Sequence, residues 1–117
     1  MAQTSTLMLM PQTVYDGGGT ANVYTVTGQT QPAAAYYLGN NNLQTVTYGL
    51  SSVTATIEIQ ASLSSEPVDN DWFIVHTIQA NSLTSTSYTN IQGNFVHIRA
   101  VIKEFSGGTI QYIKVTY

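Results

Sequence analysis

The sequence predicts an all-β domain, specifically an antiparallel β-sandwich of the jelly-roll type. Hydrophobic and polar residues alternate along several stretches, as they do where one face of a strand meets a core and the other meets water. Glycine, asparagine and proline separate these stretches, and none of them has the 3.6-residue period of an amphipathic helix. The 117 residues are enough for one domain with one hydrophobic core.

The clearest pair of strands lies in the middle of the chain. Residues 53–63 should place one set of side chains in the core, namely Val53, Ala55, Ile57 and Ile59. The intervening Glu58 and Gln60 should then face water. Residues 72–78 are β-branched and aromatic, as is typical of a strand in a packed sheet. The polar segment between the two, which contains Pro67, is predicted to be a surface loop.

Other strands are predicted on both sides of this pair. Residues 22–27 and 43–48 precede it, and the more polar residues 81–88 follow it. Residues 95–105 and 109–117 are predicted to form an antiparallel hairpin around the Ser-Gly-Gly sequence at 106–108. Within the first arm of this hairpin, the core positions should be Val96, Ile98, Ala100 and Ile102, and the outward positions Phe95, His97, Arg99, Val101 and Lys103.

We predict a single domain over residues 1–117. Its N-terminal third, residues 1–33, is predicted to form an extended arm and the first strands. Residues 1–33 carry one charge, Asp16, and no strong hydrophobic period. Ordering each residue costs roughly 1–2 kcal/mol, so such a segment needs contacts from elsewhere. We expect residues 1–10 to add as a strand to a neighbouring protein through Leu7, Met8, Leu9 and Met10. The alternative is an ordinary first strand that closes the domain's own sheet.

Composition limits the classes of partner. Only nine residues are charged and the net charge is −3, so the chain lacks the basic surface of a nucleic-acid binder. It has no cysteine, and no stretch approaches the roughly 20 apolar residues of a membrane-spanning helix. The start of the chain lacks the features of a signal peptide, so we expect none. A surface with so few charges suits a protein packed against copies of itself or against other proteins.

The order of these segments is similar to that of a known family. The strand I-x-I-Q-A-S at 57–62, Trp72, the F-V-H-I-R run at 95–99 and the final strand at 110–117 resemble discoidin-like (galactose-binding-like) jelly rolls. The pattern also resembles small virion proteins of tailed bacteriophages, including capsid decoration and tail-associated modules. The charge-poor style is similar to that of phages of marine cyanobacteria. Extracellular discoidin domains usually carry a disulfide, and its absence here favours the phage resemblance.

Four rare cationic or titratable residues define a candidate ligand face. If residues 72–78 and 95–105 share a sheet, His76 could approach His97 and Arg99 on its outer face, with Lys114 nearby. Such a face would bind a carboxylate, a sugar acid or an acidic loop of a partner. The alternative is a solvated strand face that keeps the domain soluble. Because no cysteine or well-spaced carboxylate accompanies the histidines, we expect no metal site and no cofactor.

Three further features each have a functional and a structural interpretation. The acidic residues of the 66–71 loop could bind calcium, or they could bond the backbone of their own turn. Trp72 could stack on a sugar or belong to the core. Tyr36, Tyr37 and Tyr48 could line a carbohydrate site or a subunit interface, and Tyr36 and Tyr37 are predicted to contact a partner.

No constellation of catalytic residues is recognisable, so we predict a protein that is not an enzyme. The resemblance and composition together predict a structural protein located in a bacteriophage virion, which decorates or cements the capsid through protein–protein interaction. Its partners would be capsid or other virion proteins and further copies of itself, as an oligomer or a lattice, with no nucleic acid or membrane. Two alternatives are a carbohydrate-binding or receptor-recognition module and a tail, neck or baseplate component.

Overall fold

A computed structural model describes residues 6–14, 26–33, 43–64 and 66–117. These residues form one antiparallel sheet in which three strands of 20 residues dominate. The elements in chain order are β1 Thr6–Met10, β2 Thr13–Val14, β3 Val26–Thr27, β4 Gln31–Pro32, β5 Leu43–Ser62, a 3-10 turn Asp69–Asp71, β6 Phe73–Gln92 and β7 His97–Thr116. The prediction of an all-β, antiparallel fold is confirmed.

The three long strands form the centre of the sheet. β5 lies between β6 and β7 and pairs with both along nearly its whole length. The four short strands pair one after another with the opposite edge of β7, so that β1 lies against its end and β4 against its start. The two strands predicted at residues 53–63 and 72–78 are part of β5 and β6, which pair with each other and place Ile57 opposite Ile78.

Each long strand bends near its middle. A straight strand of this length would span about 66 Å at ~3.3 Å per residue, whereas the longest dimension of the protein is 45 Å. The bends coincide with residues of positive φ, which are Ser52 in β5, Ser82 in β6, and Glu104 and Gly108 in β7. The pairing register shifts at the same places, as it does at β-bulges, which bend a strand and increase its twist.

The predicted hairpin of residues 95–105 and 109–117 is wrong, because β7 runs through both segments as one strand. The Gly-Gly sequence produces a bend in this strand and not a reversal. On one side of it Gly107 lies opposite Thr54, and on the other Thr109 lies opposite Ser51. The chain therefore continues along the same neighbouring strand and stays in the sheet.

The core is one cluster that draws on both halves of the long strands. The predicted core residues of 53–63 and three of those predicted in 95–105 are buried, the three being Ile98, Ala100 and Ile102. Val96 is only partly buried, and Phe95, predicted to point outward, packs against the cluster. Val101 is predicted to face outward, yet it is buried on that face, where Thr27 of β3 and Glu58 of β5 lie opposite it.

Contacts between the short strands bring the two ends of β7 together. The Tyr117 hydroxyl, just beyond the end of β7, donates a hydrogen bond of 2.8 Å to the Pro32 carbonyl, and Pro32 lies opposite His97 at the start of β7. The Gln31 side-chain amide donates a bond of 2.9 Å to the Met8 carbonyl, and Met8 lies opposite Lys114. The sheet therefore doubles back on itself along this edge.

The N-terminal strand belongs to the protein's own sheet, so the prediction that residues 7–10 add to a neighbour is corrected. Leu7 and Met8 lie opposite Val115 and Lys114, while Leu9 and Met10 are buried in the protein's own core. Because β1 and β7 belong to one chain, they meet at the high effective concentration of an intramolecular contact. Residues 1–5 lie outside the described residues.

We expect Gly108→Ala to lower the free energy of unfolding by about 1–3 kcal/mol, because a side chain is strained at positive φ. Gly108 has φ +90°, and a methyl group there would also clash with the Ser52 carbonyl. Gly107→Ala is the matched control, since the space beside the neighbouring glycine is open. Urea denaturation of both variants checks this. Equal losses in the two variants would show that the bend does not depend on Gly108.

Candidate functional site

A buried polar network lies on the face of β5 opposite the core. Glu58 and Gln60 alternate with the core residues Ile57 and Ile59, and the sequence predicts that both polar side chains face water. In the structure Glu58 is only 7% exposed and Gln60 only 9%. A buried polar group is costly unless it is hydrogen-bonded, so the partners of these two residues define the site.

The partners come from β7, which is the neighbour of β5. Lys103 Nζ lies 3.1 Å from Glu58 Oε1, and the Gln60 amide donates to the same oxygen at 3.0 Å. Arg99 Nε donates in turn to Gln60 Oε1 at 2.9 Å. The register explains this chain of contacts, because Arg99 lies directly opposite Gln60, and Lys103 opposite Thr56. We call these four side chains, Glu58, Gln60, Arg99 and Lys103, the Glu58 network.

Arg99 also stacks on Trp72, which immediately precedes β6. The guanidinium carbon lies 4.2 Å from the centroid of the indole ring, within the range of a cation–π interaction. Both partners of Arg99 among the described residues, an amide oxygen and an aromatic ring, are formally neutral. This stacked pair presents a cation beside a flat aromatic surface, a combination suited to a ligand that carries a carboxylate and an apolar face.

His97 lies two residues from Arg99 on the same face of β7. Its Nδ1 atom is 3.0 Å from the Ser64 carbonyl oxygen, which connects the start of β7 to the loop after β5. The Ser64 amide donates to the Ser62 hydroxyl at 3.1 Å, and Ser62 lies opposite His97. These contacts fix the loop beside the stacked pair of Arg99 and Trp72.

The structure divides the predicted cationic face. His76 does share a sheet with His97 and Arg99, but β5 lies between them, and His76 is opposite the core residue Ile59. Lys114 lies in the other half of β7, where its Nζ atom is 4.7 Å from the centroid of the Tyr112 ring. Of the four residues of the predicted cationic face, only His97 and Arg99 therefore lie on the same face and in the same half of the sheet.

The aromatic residues singled out in the sequence are Trp72 and three tyrosines. Trp72 is half-buried, with Arg99 against its ring, so it is neither a fully buried core residue nor a bare platform. Tyr48 packs against the hydrophobic core. Tyr36 and Tyr37 lie outside the described residues, and their predicted contact with a partner stays a prediction.

The acidic loop forms a turn bonded to its own backbone. The Asp71 carboxylate accepts a hydrogen bond of 2.9 Å from the Val68 amide, and the Asp71 amide donates one of 2.9 Å to the Val68 carbonyl. The Glu66 amide donates to the Ser64 hydroxyl at 3.2 Å. Within the described ranges, no three His, Asp or Glu side chains are grouped so that they could hold a metal ion.

No protein-family model matches the chain, and a search of curated proteins returns no significant relative. The resemblance to discoidin-like domains and to phage virion proteins therefore stays a prediction. No helix in the described part of the chain is long and apolar enough to span a membrane.

We expect Lys103→Met to lower the free energy of unfolding by about 1–2 kcal/mol, because it leaves the buried Glu58 carboxylate without its cation. The double variant with Glu58→Gln should recover much of the loss, since a neutral amide needs no counterion. Lys114→Met, which removes a cation that stacks on a ring, is the control and should have a smaller effect. Urea denaturation of the set provides the measurement. Additive effects of the two substitutions would contradict the coupling.

Proposed function

We propose that the protein is a non-enzymatic structural component of a bacteriophage virion that decorates or cements the capsid. The observation that supports this most is a concentration of exposed apolar side chains around the β5–β6 loop. Seven large hydrophobic residues are exposed in the described part of the chain, and four of them lie in this short stretch, namely Leu63, Val68, Phe73 and Ile74. We call these four residues the apolar end.

The pairing of β5 with β6 places Leu63, Phe73 and Ile74 at the same end of the sheet, with Phe73 and Ile74 on its two faces. Phe73 lies opposite Ala61, two residues before Leu63, and Ile74 lies opposite Gln60. The Phe73 and Phe95 rings pack with their centroids 5.7 Å apart, so Phe73 is held in place by a neighbouring ring. Exposed apolar side chains concentrated at one end of a protein favour contact with another protein there.

Decoration of a shell fits such a surface. Each copy would bury a modest apolar area against the shell, and many copies on one particle would add their contacts. Low surface charge favours close packing of identical copies, because neighbours do not repel one another. A position in the tail, neck or baseplate belongs to the same class and would use the same surface in fewer copies.

We also propose that the doubled-back sheet has the two-layer packing of a jelly-roll sandwich. One core cluster contains residues from both halves of β5, such as Val46 and Ile59, and from both halves of β7, such as Ile98 and Val115. Bent strands whose two halves face each other across a core are one way to build a sandwich without a second, separate sheet.

A second candidate function is recognition of a carbohydrate or a receptor, favoured by the stacking of Arg99 on Trp72. Sugar sites combine an aromatic surface with several convergent polar groups. Here the half-buried indole, the guanidinium and the nearby His97 side chain provide these groups on one face. A ligand with a carboxylate, such as a sugar acid, would match the cation.

We expect the triple variant Leu63→Ser, Val68→Ser and Ile74→Thr to lose binding to undecorated phage shells while its unfolding transition stays nearly unchanged, because the three side chains are exposed. Val14→Thr removes another exposed hydrophobic side chain elsewhere in the sheet and should bind normally. Sedimentation with shells measures the binding. Quantitative mass spectrometry of purified virions is the second test: a high copy number supports decoration, a low one indicates a tail or neck position, and absence contradicts the proposal.

For the second candidate, we expect an array of neutral and acidic glycans to show preferential binding to the acidic ones. Arg99→Gln should abolish that preference, since it removes the cation, whereas Lys114→Gln on the other half of β7 should retain it. Absence of binding to any glycan at high protein concentration would set the carbohydrate function aside.

A further inference from the structure

β6 is an edge strand of the sheet that the described residues form. Within the described residues it pairs with β5 alone, and its other side carries no strand. Natural proteins protect long edge strands with charged residues, prolines or short length, because an open edge can pair with another chain. β6 has 20 residues and contains no Lys, Arg, Asp, Glu or Pro. The protective features that would keep this edge unpaired are therefore missing.

The second half of β6 has a symmetric pattern about Ser87. On the core-side face, Leu83 and Ile91 each lie four residues from Ser87, and both pack against the hydrophobic core. The residues between them on this face are small and hydroxylated, namely Ser85, Ser87 and Thr89. The opposite face carries exposed uncharged side chains, which are Thr84, Thr86, Tyr88 and Asn90.

We propose that residues 83–91 pair antiparallel with the same residues of a second copy, about a two-fold axis through Ser87. This register places Leu83 opposite Ile91 of the second copy and Ser85 opposite Thr89. Apolar side chains then meet apolar ones, and hydroxyl groups meet hydroxyl groups, as in stable cross-strand pairs. On the other face Thr86 lies opposite Tyr88 of the second copy. Residues 83–91 contain no charged side chain, so no like charges face each other.

Neighbouring registers match less well. Moving the axis by one residue, to Thr86 or Tyr88, places Leu83 opposite Thr89 or Ile91 opposite Ser85. Placing the axis between two residues would put Leu83 opposite Asn90, which belongs to the other face of the sheet, because a shift of one residue exchanges faces. The axis through Ser87 is the register that continues the core-side face of one copy into that of the other.

The pairing also fits the shape of the molecule. The opposite edge of the sheet is covered by the four short strands along β7, so two copies joined at β6 leave no second long edge open for further growth. An isologous pair of this kind closes as a dimer. It does not depend on the proposed function, and the isolated protein is sufficient to test it.

Cysteine crosslinking tests the register, because the natural chain contains no cysteine. In Ser87→Cys the two thiols lie directly opposite, with Cβ atoms about 4.5–5.5 Å apart. In Ser85→Cys the two thiols are separated by four residues along the strand, about 13 Å. Both serines are half-buried on the same face, so the second variant is a matched control. We expect mild oxidation to give a covalent dimer of Ser87→Cys at a rate at least tenfold that of Ser85→Cys.

The mass of the protein in solution provides the second readout. Sedimentation should give a dimer for the natural chain, and Thr86→Lys, which places two like charges on diagonal positions of the pair, should shift it to the monomer. Thr27→Lys adds the same charge at an exposed position of β3 and should remain dimeric. A monomeric natural chain at its highest soluble concentration, or equal crosslinking of the two cysteine variants, would overturn the proposal.

Discussion

The close approach of the Gly108 backbone to the Ser52 carbonyl is the contact on which the shape of the sheet depends. It lies where β5 and β7 bend together, and Ser82 bends β6 at the same level. If one strand bent and its neighbours did not, the ladder of hydrogen bonds between them would break on one side. Bulges placed in register allow three long strands to turn a corner as a unit, so that both halves contribute to one core.

The same corner explains which parts of the fold are predictable from the sequence. Side-chain alternation identifies the core positions Val53, Ala55, Ile57 and Ile59, and Ile98, Ala100 and Ile102, correctly, because each run lies within one half of a strand. A bulge changes the parity of this alternation: the buried hydrophobic residues of β5 are Val46 and Leu50 before the bend, and after it they are the odd-numbered Val53, Ala55, Ile57, Ile59 and Ala61. Each long strand consequently resembles two shorter ones joined by a turn, and Gly107 with Gly108 resembles the turn of a hairpin.

The candidate site is less predictable because it depends on register between distant segments. Arg99 and His97 are recognisable as rare residues, but nothing in the local sequence shows that Gln60 lies opposite Arg99 across two strands. Glu58 and Gln60 look like solvent-facing residues because they alternate with core positions. Their burial follows from long side chains on the adjacent strand, whose aliphatic portions cover the sheet while their charged ends reach the carboxylate and the amide.

The positive charges of the Glu58 network lie on β7, and none lies on the edge strand β6. All three cationic side chains of the protein, Arg99, Lys103 and Lys114, lie on β7, where each contacts a carboxylate, an amide or an aromatic ring. β7, like β5, has neighbours on both sides, so these charges do not lie on an edge strand. β6, the strand with an open edge, has none of them. A chain with so few charges that places them away from its open edge leaves that edge free of electrostatic repulsion, and pairing with an identical strand is the contact that such an edge favours.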